Sequence, residues 1–260
     1  MRAGLVYNSL TIGKQQGHKK IAALIDPDKV NQKKVEKMVC HAVKAGVDYF
    51  FVGGSLVMND SFSRWIKLIK SSCNIPVIIF PGSPLQISGE ADAIFFLSLI
   101  SGRNPELLIG HHVISAPILH QLDIEVMSTA YMLIDGGAPT TVSYISNSSP
   151  IPANKPSIAV ATALAGQMLG MKIIYLDSGS GAQMPVSEKM IQAVSSQIEV
   201  PLIVGGGIRT PELAQKSCLA GADLIVVGNA LETNPALVEE MAASVHEVSR
   251  SGVELGNFNS

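Results

Sequence analysis

Short runs of apolar, often β-branched residues alternate with stretches of helical periodicity along nearly the whole chain. The runs Ile21–Ile25, Asp48–Val52, Val77–Phe80, Ala93–Leu97, Ile124–Ile134, Ile173–Leu176, Leu202–Val204 and Leu224–Val227 are almost continuously apolar. That is the pattern of parallel strands covered on both faces, since a strand with one wet face alternates instead. Between them, Val35, Met38, Val39, Ala42 and Val43 recur at the spacing of one helix face, as do Leu237, Val238, Met241, Ala242 and Val245. Further helices are predicted over Ser61–Ser71, Pro105–His120, Pro156–Leu169, Ser187–Gln197 and Pro211–Ala220, with Pro156 and Pro211 in first turns, where proline is tolerated. Asp28 stands where the helix after the first strand would take its N-cap. The polar tail Ser249–Ser260 is expected to fray.

Eight strands alternating with helices in 260 residues argue an α/β fold, a (β/α)8 barrel forming a single domain over residues 1–260. A doubly wound open sheet is the alternative. An internal echo favours the barrel: Lys44-Ala-Gly-Val-Asp48 with Gly53 returns as Leu219-Ala-Gly-Ala-Asp223 with Gly228. The echo fits strands two and eight of a pseudo-symmetric barrel, and it is also compatible with chance convergence on a common turn. Pro81, Gly82, Pro84 and Gly89 punctuate the twelve residues Pro81–Asp92 between strands three and four, so a full helix is not expected there. Residues 135–155 read as a long, helix-poor loop after strand five, of the kind that forms lids or disordered tips.

Charge excludes some partners. With 19 Lys+Arg against 21 Asp+Glu, a single Trp and no basic stripe, the chain offers nothing to nucleic acid or to an anionic membrane surface. Cys40, Cys73 and Cys218 are odd in number and lack CxxC spacing, so a disulfide framework or zinc site is not expected and a reducing cytoplasm is. The first twenty residues show no apolar core of a signal peptide, and no apolar run approaches the length of a membrane span. The mean hydropathy of +0.31 is explained by buried parallel strands. His111, His112 and His120 have no metal-ligand spacing and are expected on a helix surface.

In a barrel the chemistry sits in the loops after the strands. Strand seven runs into Gly205-Gly206-Gly207 and strand eight into Gly228-Asn229, the two loops that usually cradle a phosphate in this fold. Glycines let backbone N–H groups come close to an anion. Arg209 lies just past the triplet. Strand one ends in Asp26-Pro27-Asp28-Lys29, where Asp26 is placed as a hard-cation ligand, with Ser55 of Gly53-Gly54-Ser55 a candidate second oxygen. Strand six ends in Tyr175-Leu176-Asp177-Ser178-Gly179-Ser180-Gly181, which puts Asp177 where a general base toward a substrate hydroxyl belongs, although it would equally order that loop.

Together these motifs, in this order, resemble the geranylgeranylglyceryl phosphate synthases and the related heptaprenylglyceryl phosphate synthases. The resemblance runs from about Ile21 to Leu231, and Phe95–Pro105 with Ser128–Gly137 is similar to the larger, geranylgeranyl-type subgroup. It implies a TIM barrel with the third helix replaced by irregular chain. It also implies Mg2+-dependent transfer of a polyprenyl group, here the 20-carbon geranylgeranyl group, to sn-glycerol 1-phosphate in ether lipid biosynthesis. By the same resemblance Asp26 and Ser55 bind Mg2+, and Tyr175, Leu176, Asp177, Ser178, Gly179, Ser180, Gly181, Gly206, Gly207, Gly228 and Asn229 hold glycerol phosphate. A homo-oligomer is implied, with membrane contact only through lipid substrate and product.

Two departures stand out. Many relatives carry Glu where this chain has Asp177, one methylene shorter. Some carry Lys two positions before the strand-one aspartate, where this chain has Leu24, so a phosphate-contacting charge must come from elsewhere or be absent. The competing functions are another phosphate-binding barrel enzyme, such as a sugar-phosphate isomerase or a thiamin-phosphate-type synthase, and a non-catalytic phospholigand-binding barrel.

Overall fold

The computed structural model describes residues 4–54 and 62–256. Eight parallel strands close into a barrel in sequential order: β1 (Lys20–Ile25), β2 (Tyr49–Val52), β3 (Val77–Ile79), β4 (Ala93–Leu99), β5 (Glu125–Leu133), β6 (Ile173–Asp177), β7 (Leu202–Gly205) and β8 (Leu224–Val227). Closure through β1 and β8, with Lys20 opposite Leu224 and Ala23 opposite Val227, removes the open-sheet alternative. The strands pack on both faces, as their unbroken apolar runs require. Phe51, Phe95, Met127, Tyr131, Tyr175 and Ile203 fill the barrel, whereas Ile25, Phe50, Ile79, Met132 and Leu176 face the helices.

The described helices are α1 (Leu5–Gln15), α2 (Gln32–Ala45), α3 (Phe62–Ser72), α4 (His111–His120), α5 (Thr141–Ser146), α6 (Pro156–Met168), α7 (Glu188–Ser195), α8 (Pro211–Leu219), α9 (Asn229–Thr233) and α10 (Leu237–Gly256). Residues 80–92 form no helix, as their prolines and glycines predict. A π-helical segment, Glu106–Gly110, leads into α4.

Three local expectations need correction, and one element is new. Asn31, not Asp28, caps α2: its side chain accepts the Lys34 N–H, and the helix starts at Gln32. The 135–155 segment is more ordered than a helix-poor loop. It carries α5, closed by a reciprocal Thr140/Ser143 capping box, and a parallel bridge from Ile134 to Ile151. The tail does not fray at Ser249, because α10 continues to Gly256. Finally, α1 was not foreseen. It inserts Val6 and Leu10 into the bottom of the barrel, and buried Glu125 at the start of β5 accepts the N–H groups of Val6 and Tyr7 at 2.8 and 2.9 Å.

The echoed aspartates clasp the same end. Asp48, just before β2, donates its N–H to the Ile21 carbonyl and accepts the Ile21 N–H on its carboxylate, at 3.0 and 2.9 Å. Asp223, before β8, does the same with Leu202 at 2.8 and 2.9 Å, and Asp92, before β4, with Val77 at 2.9 and 2.8 Å. Each carboxylate also meets lysine: Lys20 at Asp48, Lys70 at Asp92, Lys14 and Lys19 at Asp223.

Burial alone would raise the Asp48 carboxyl, but the His246 hydrogen bond, the Ile21 N–H and the Lys20 charge outweigh it and hold the group below its ordinary value. A depressed carboxyl stabilises the fold above its unfolded pKa, and that stabilisation is lost as pH falls through the folded value. Wild type is therefore expected to be more stable than Asp48→Asn at pH 7. The gap should close as the pH drops below about 4, where the free carboxyl also protonates. Urea midpoints between pH 3 and 7 check this, and a gap independent of pH would show that charge on Asp48 is not what matters.

Candidate active site

The strand C-termini surround a cavity of about 410 Å3. One half is polar, walled by Asp26, Lys29, Asp177, Ser180, Gly206 and Asn229. The other is apolar, running past Ile87, Ile94, Phe96, Leu107 and Leu119. Its origin lies in the missing helix. Ile94 and Phe96 point out of β4 on the face that a helix covers elsewhere in the barrel, and between β3 and β4 no helix does. An aromatic cluster floors the junction, with Phe80 stacked on Tyr175 at 5.3 Å and Tyr131 5.5 Å from Tyr175, ring centre to ring centre.

Asp177 ends β6 inside this junction. Its carboxylate accepts the Tyr131 hydroxyl and the Gly179 N–H, both at 2.7 Å. Burial pushes the Asp177 carboxyl above the usual range, and the two hydrogen bonds offset only part of that. Burial and the Asp177 charge likewise raise the Tyr131 and Tyr175 hydroxyls, so both remain neutral donors. Directly opposite, Gly206 and Gly207 adopt φ of 80° and 70°, where side chains other than glycine are strained. A Cβ on Gly206 would lie 2.6 Å from Asp177 Oδ1 and 2.7 Å from the N–H nitrogens of Ser178 and Gly179. The strand-seven turn thus lies flush against the strand-six loop, and only glycine permits it.

Lys29 joins the remaining loops. From the β1 loop its Nζ lies 3.0 Å from Asp26 Oδ2, 3.2 Å from Ser180 Oγ and 3.4 Å from Asn229 Oδ1, with Glu232 Oε1 at 3.9 Å. Burial raises the Glu232 carboxyl against the opposing pull of the Lys29 ammonium, and nearby Asp26 adds to the rise. Among the described residues no three His, Cys, Asp or Glu side chains gather as a metal cluster. The half-buried Asp26 carboxylate facing the cavity, beside loops suited to phosphate, is nevertheless a donor that fits Mg2+, which takes most of its oxygens from water and substrate. Ser55 lies outside the described residues.

A family model described as the PcrB family matches residues 14–249. The chain belongs to the PcrB family. Among its relatives, a geranylgeranylglyceryl phosphate synthase of Chitinophaga pinensis is 55% identical over 93% of this chain and 96% of its own length. One of Spirosoma linguale is 49% identical over 93% and 97%. The crystal structure of the Thermoplasma acidophilum (S)-3-O-geranylgeranylglyceryl phosphate synthase in complex with sn-glycerol-1-phosphate superimposes with a TM-score of 0.89 at 35% identity, covering 95% of this chain and all of that one.

Within this PcrB-family site, most residues anticipated from the motifs converge. Asp26, Tyr175, Asp177, Gly179, Ser180, Gly181, Gly206, Gly207, Gly228 and Asn229 all line the one cavity. Leu176 and Ser178 do not. Alternation along β6 turns Leu176 outward into the helix-facing core, and the Ser178 N–H is bonded to the Gly205 carbonyl. Asp28 lines the cavity instead of capping a helix, its N–H donating to Asp26 Oδ1 at 3.2 Å. Arg209 spends a guanidinium N–H on the Ala182 carbonyl and so ties the strand-six and strand-seven loops together. His112 is not on a helix surface. It is buried against Phe96, 3.2 Å from Ser98 Oγ, and desolvation lowers its pKa, because the ring faces the outer side of β4. Sequence reading missed Lys29 as a site residue. The signal available was its place three residues after Asp26, in the loop that follows β1.

Proposed function

We propose that the protein is a prenyltransferase that joins sn-glycerol 1-phosphate to geranylgeranyl diphosphate in ether lipid biosynthesis, with Mg2+ as cofactor. The observation that carries this reading is the single cavity in which glycine loops and a buried carboxylate open directly onto an apolar groove. A phosphate-bearing acceptor and a long hydrocarbon donor each find one half of it. An isomerase of small sugar phosphates has no use for the apolar half. The names of the relatives point the same way.

In this reading the Gly206–Gly207 and Gly228–Asn229 turns hold the acceptor phosphate through backbone N–H groups. That remote binding orients the glycerol hydroxyl toward C1 of the donor. Asp177, its carboxyl raised by burial, takes the hydroxyl proton as the new C–O bond forms and the bond to diphosphate breaks, the electron pair leaving with diphosphate. The faces of Phe80 and Tyr175 shelter the allylic carbon and favour positive charge on it. Asp26 would hold Mg2+, which would supply charge to stabilise the leaving diphosphate. The side chains of Ile87, Ile94, Phe96 and Leu119 exclude water from the prenyl chain. Three free cysteines agree with a reducing cytoplasm, and we carry over homo-oligomerisation from the resemblance.

The test is incubation with each glycerol phosphate enantiomer, prenyl diphosphates of roughly 15 to 35 carbons, and Mg2+, with products identified by mass. The expected product is geranylgeranylglyceryl phosphate from the sn-1 enantiomer, absent after Mg2+ removal. Asp26→Asn should cut turnover by two orders of magnitude or more, on the order of the several kcal/mol a metal supplies to a leaving group, while still binding glycerol phosphate. Better rates with the 35-carbon donor would overturn the chain length, and near-normal turnover of Asp26→Asn would remove Asp26 from the metal site.

A further inference from the structure

The cavity is short of positive charge for a site that takes two phosphorylated substrates. Asp26, Asp28, Asp177 and Glu232 line it, against Lys29 and Arg209 as its Lys and Arg residues. The Arg209 guanidinium is already engaged by the Ala182 carbonyl. Lys29 is differently placed. Its side chain is 42% exposed, it reaches from the β1 loop, and its partners belong to three loops: Asp26 after β1, Ser180 after β6 and Asn229 after β8. Ser180 Oγ and Asn229 Oδ1 are themselves 3.2 Å apart, so the ammonium stands over the pair of side chains that edges the glycine cradle.

We infer that Lys29 is the positioning cation of this site: its ammonium moves from Asp26 onto a phosphate seated between Ser180 and Asn229, and thereby leaves the Asp26 carboxylate to the divalent cation. The inference rests on the phosphate and Mg2+ assignments made above. Its physical basis is competition. A carboxylate bonded to an ammonium at 3.0 Å binds a hard cation only after giving that partner up. A phosphate dianion, with more charge and three acceptor oxygens, is the stronger partner for the ammonium. Filling the phosphate cradle then primes the metal site, so the two ligands assist each other by the same factor in either order.

The experiment is calorimetry on the intact protein with inorganic phosphate, sn-glycerol 1-phosphate and Mn2+ as a Mg2+ probe, comparing wild type with Lys29→Met and Lys29→Gln. Loss of the ammonium should weaken metal-free binding of both phosphates roughly ten- to hundred-fold, the range of a charge-assisted hydrogen bond. It should also tighten Mn2+ binding measured without phosphate, and abolish the gain in Mn2+ affinity that phosphate produces in wild type. A merely structural role does not move two affinities in opposite directions. Phosphate affinity unchanged in both variants, or Mn2+ weakened along with phosphate, would overturn the proposal. So would a rise confined to the Michaelis constant for the prenyl diphosphate, which would assign Lys29 to the donor. If wild type binds phosphate and Mn2+ with mutual assistance yet forms no prenyl ether, the prenyltransferase reading fails while Lys29 is still judged on the binding data.

Discussion

Gly206→Val is expected to abolish acceptor binding while leaving the barrel folded. The backbone at φ 80° costs a β-branched residue on the order of 1–3 kcal/mol. The larger effect is steric: the added carbon falls 2.6 Å from Asp177 Oδ1, so the strand-seven turn must back away from the strand-six loop. Both sides of the phosphate cradle then lose register. Affinity for sn-glycerol 1-phosphate should fall by about a hundred-fold or more, and Gly206→Ala should fall in the same direction. Gly89→Ala is the control, because it lies outside the cavity lining and its Cβ meets only the Leu122 side chain, at 3.3 Å, which can shift. Calorimetric titration of the three variants, with thermal midpoints as a check on folding, decides. Wild-type affinity in a folded Gly206→Val would refute the backbone cradle.

Asp177→Asn should cost turnover rather than binding. The amide keeps the shape and still accepts the Gly179 N–H, but it cannot take a proton, and a general base contributes roughly 100- to 10,000-fold. In wild type kcat/KM should fall as the pH drops through a carboxyl pKa above the ordinary value, since burial raises it and the base works ionised. Stability moves the other way. A carboxyl raised in the folded state destabilises the fold once pH exceeds its unfolded pKa, most fully above the folded one. The asparagine variant should therefore be no less stable than wild type at pH 7, with any advantage vanishing below about pH 4. Turnover above a tenth of wild type would exclude Asp177 as the base, and the shorter reach of aspartate would then have told.

The strands were legible because burial on both faces writes continuous apolar runs, and each lies within about two residues of its predicted place. The glycine loops were legible for the same local reason. What escaped depends on contacts between distant segments. The buried stripe of α1 is thin, Val6, Leu10 and Gly13, because the helix only plugs the barrel floor. The role of Lys29 arises where the β1, β6 and β8 loops meet, 151 and 200 residues apart along the chain. His112 looked like a surface residue until Phe96 and Ser98 of β4 supplied its environment.

The aspartate clasps have a consequence for how such a barrel is made. They join β1 to β2, β3 to β4 and β7 to β8, always at the end opposite the cavity. Between β5 and β6 the junction differs: the Lys172 N–H donates to the Ser128 carbonyl and, at 3.2 Å, to its hydroxyl, without a carboxylate. Three strand pairs are thus cinched at the base by a carboxylate that stands just before their second strand, and the echoed Asp48 and Asp223 are two of these clasps. A pair locked at its base tolerates change at its rim. The pair β3–β4 keeps its clasp although no helix intervenes between its strands, so the base of the barrel stays cinched where its rim opens into the groove.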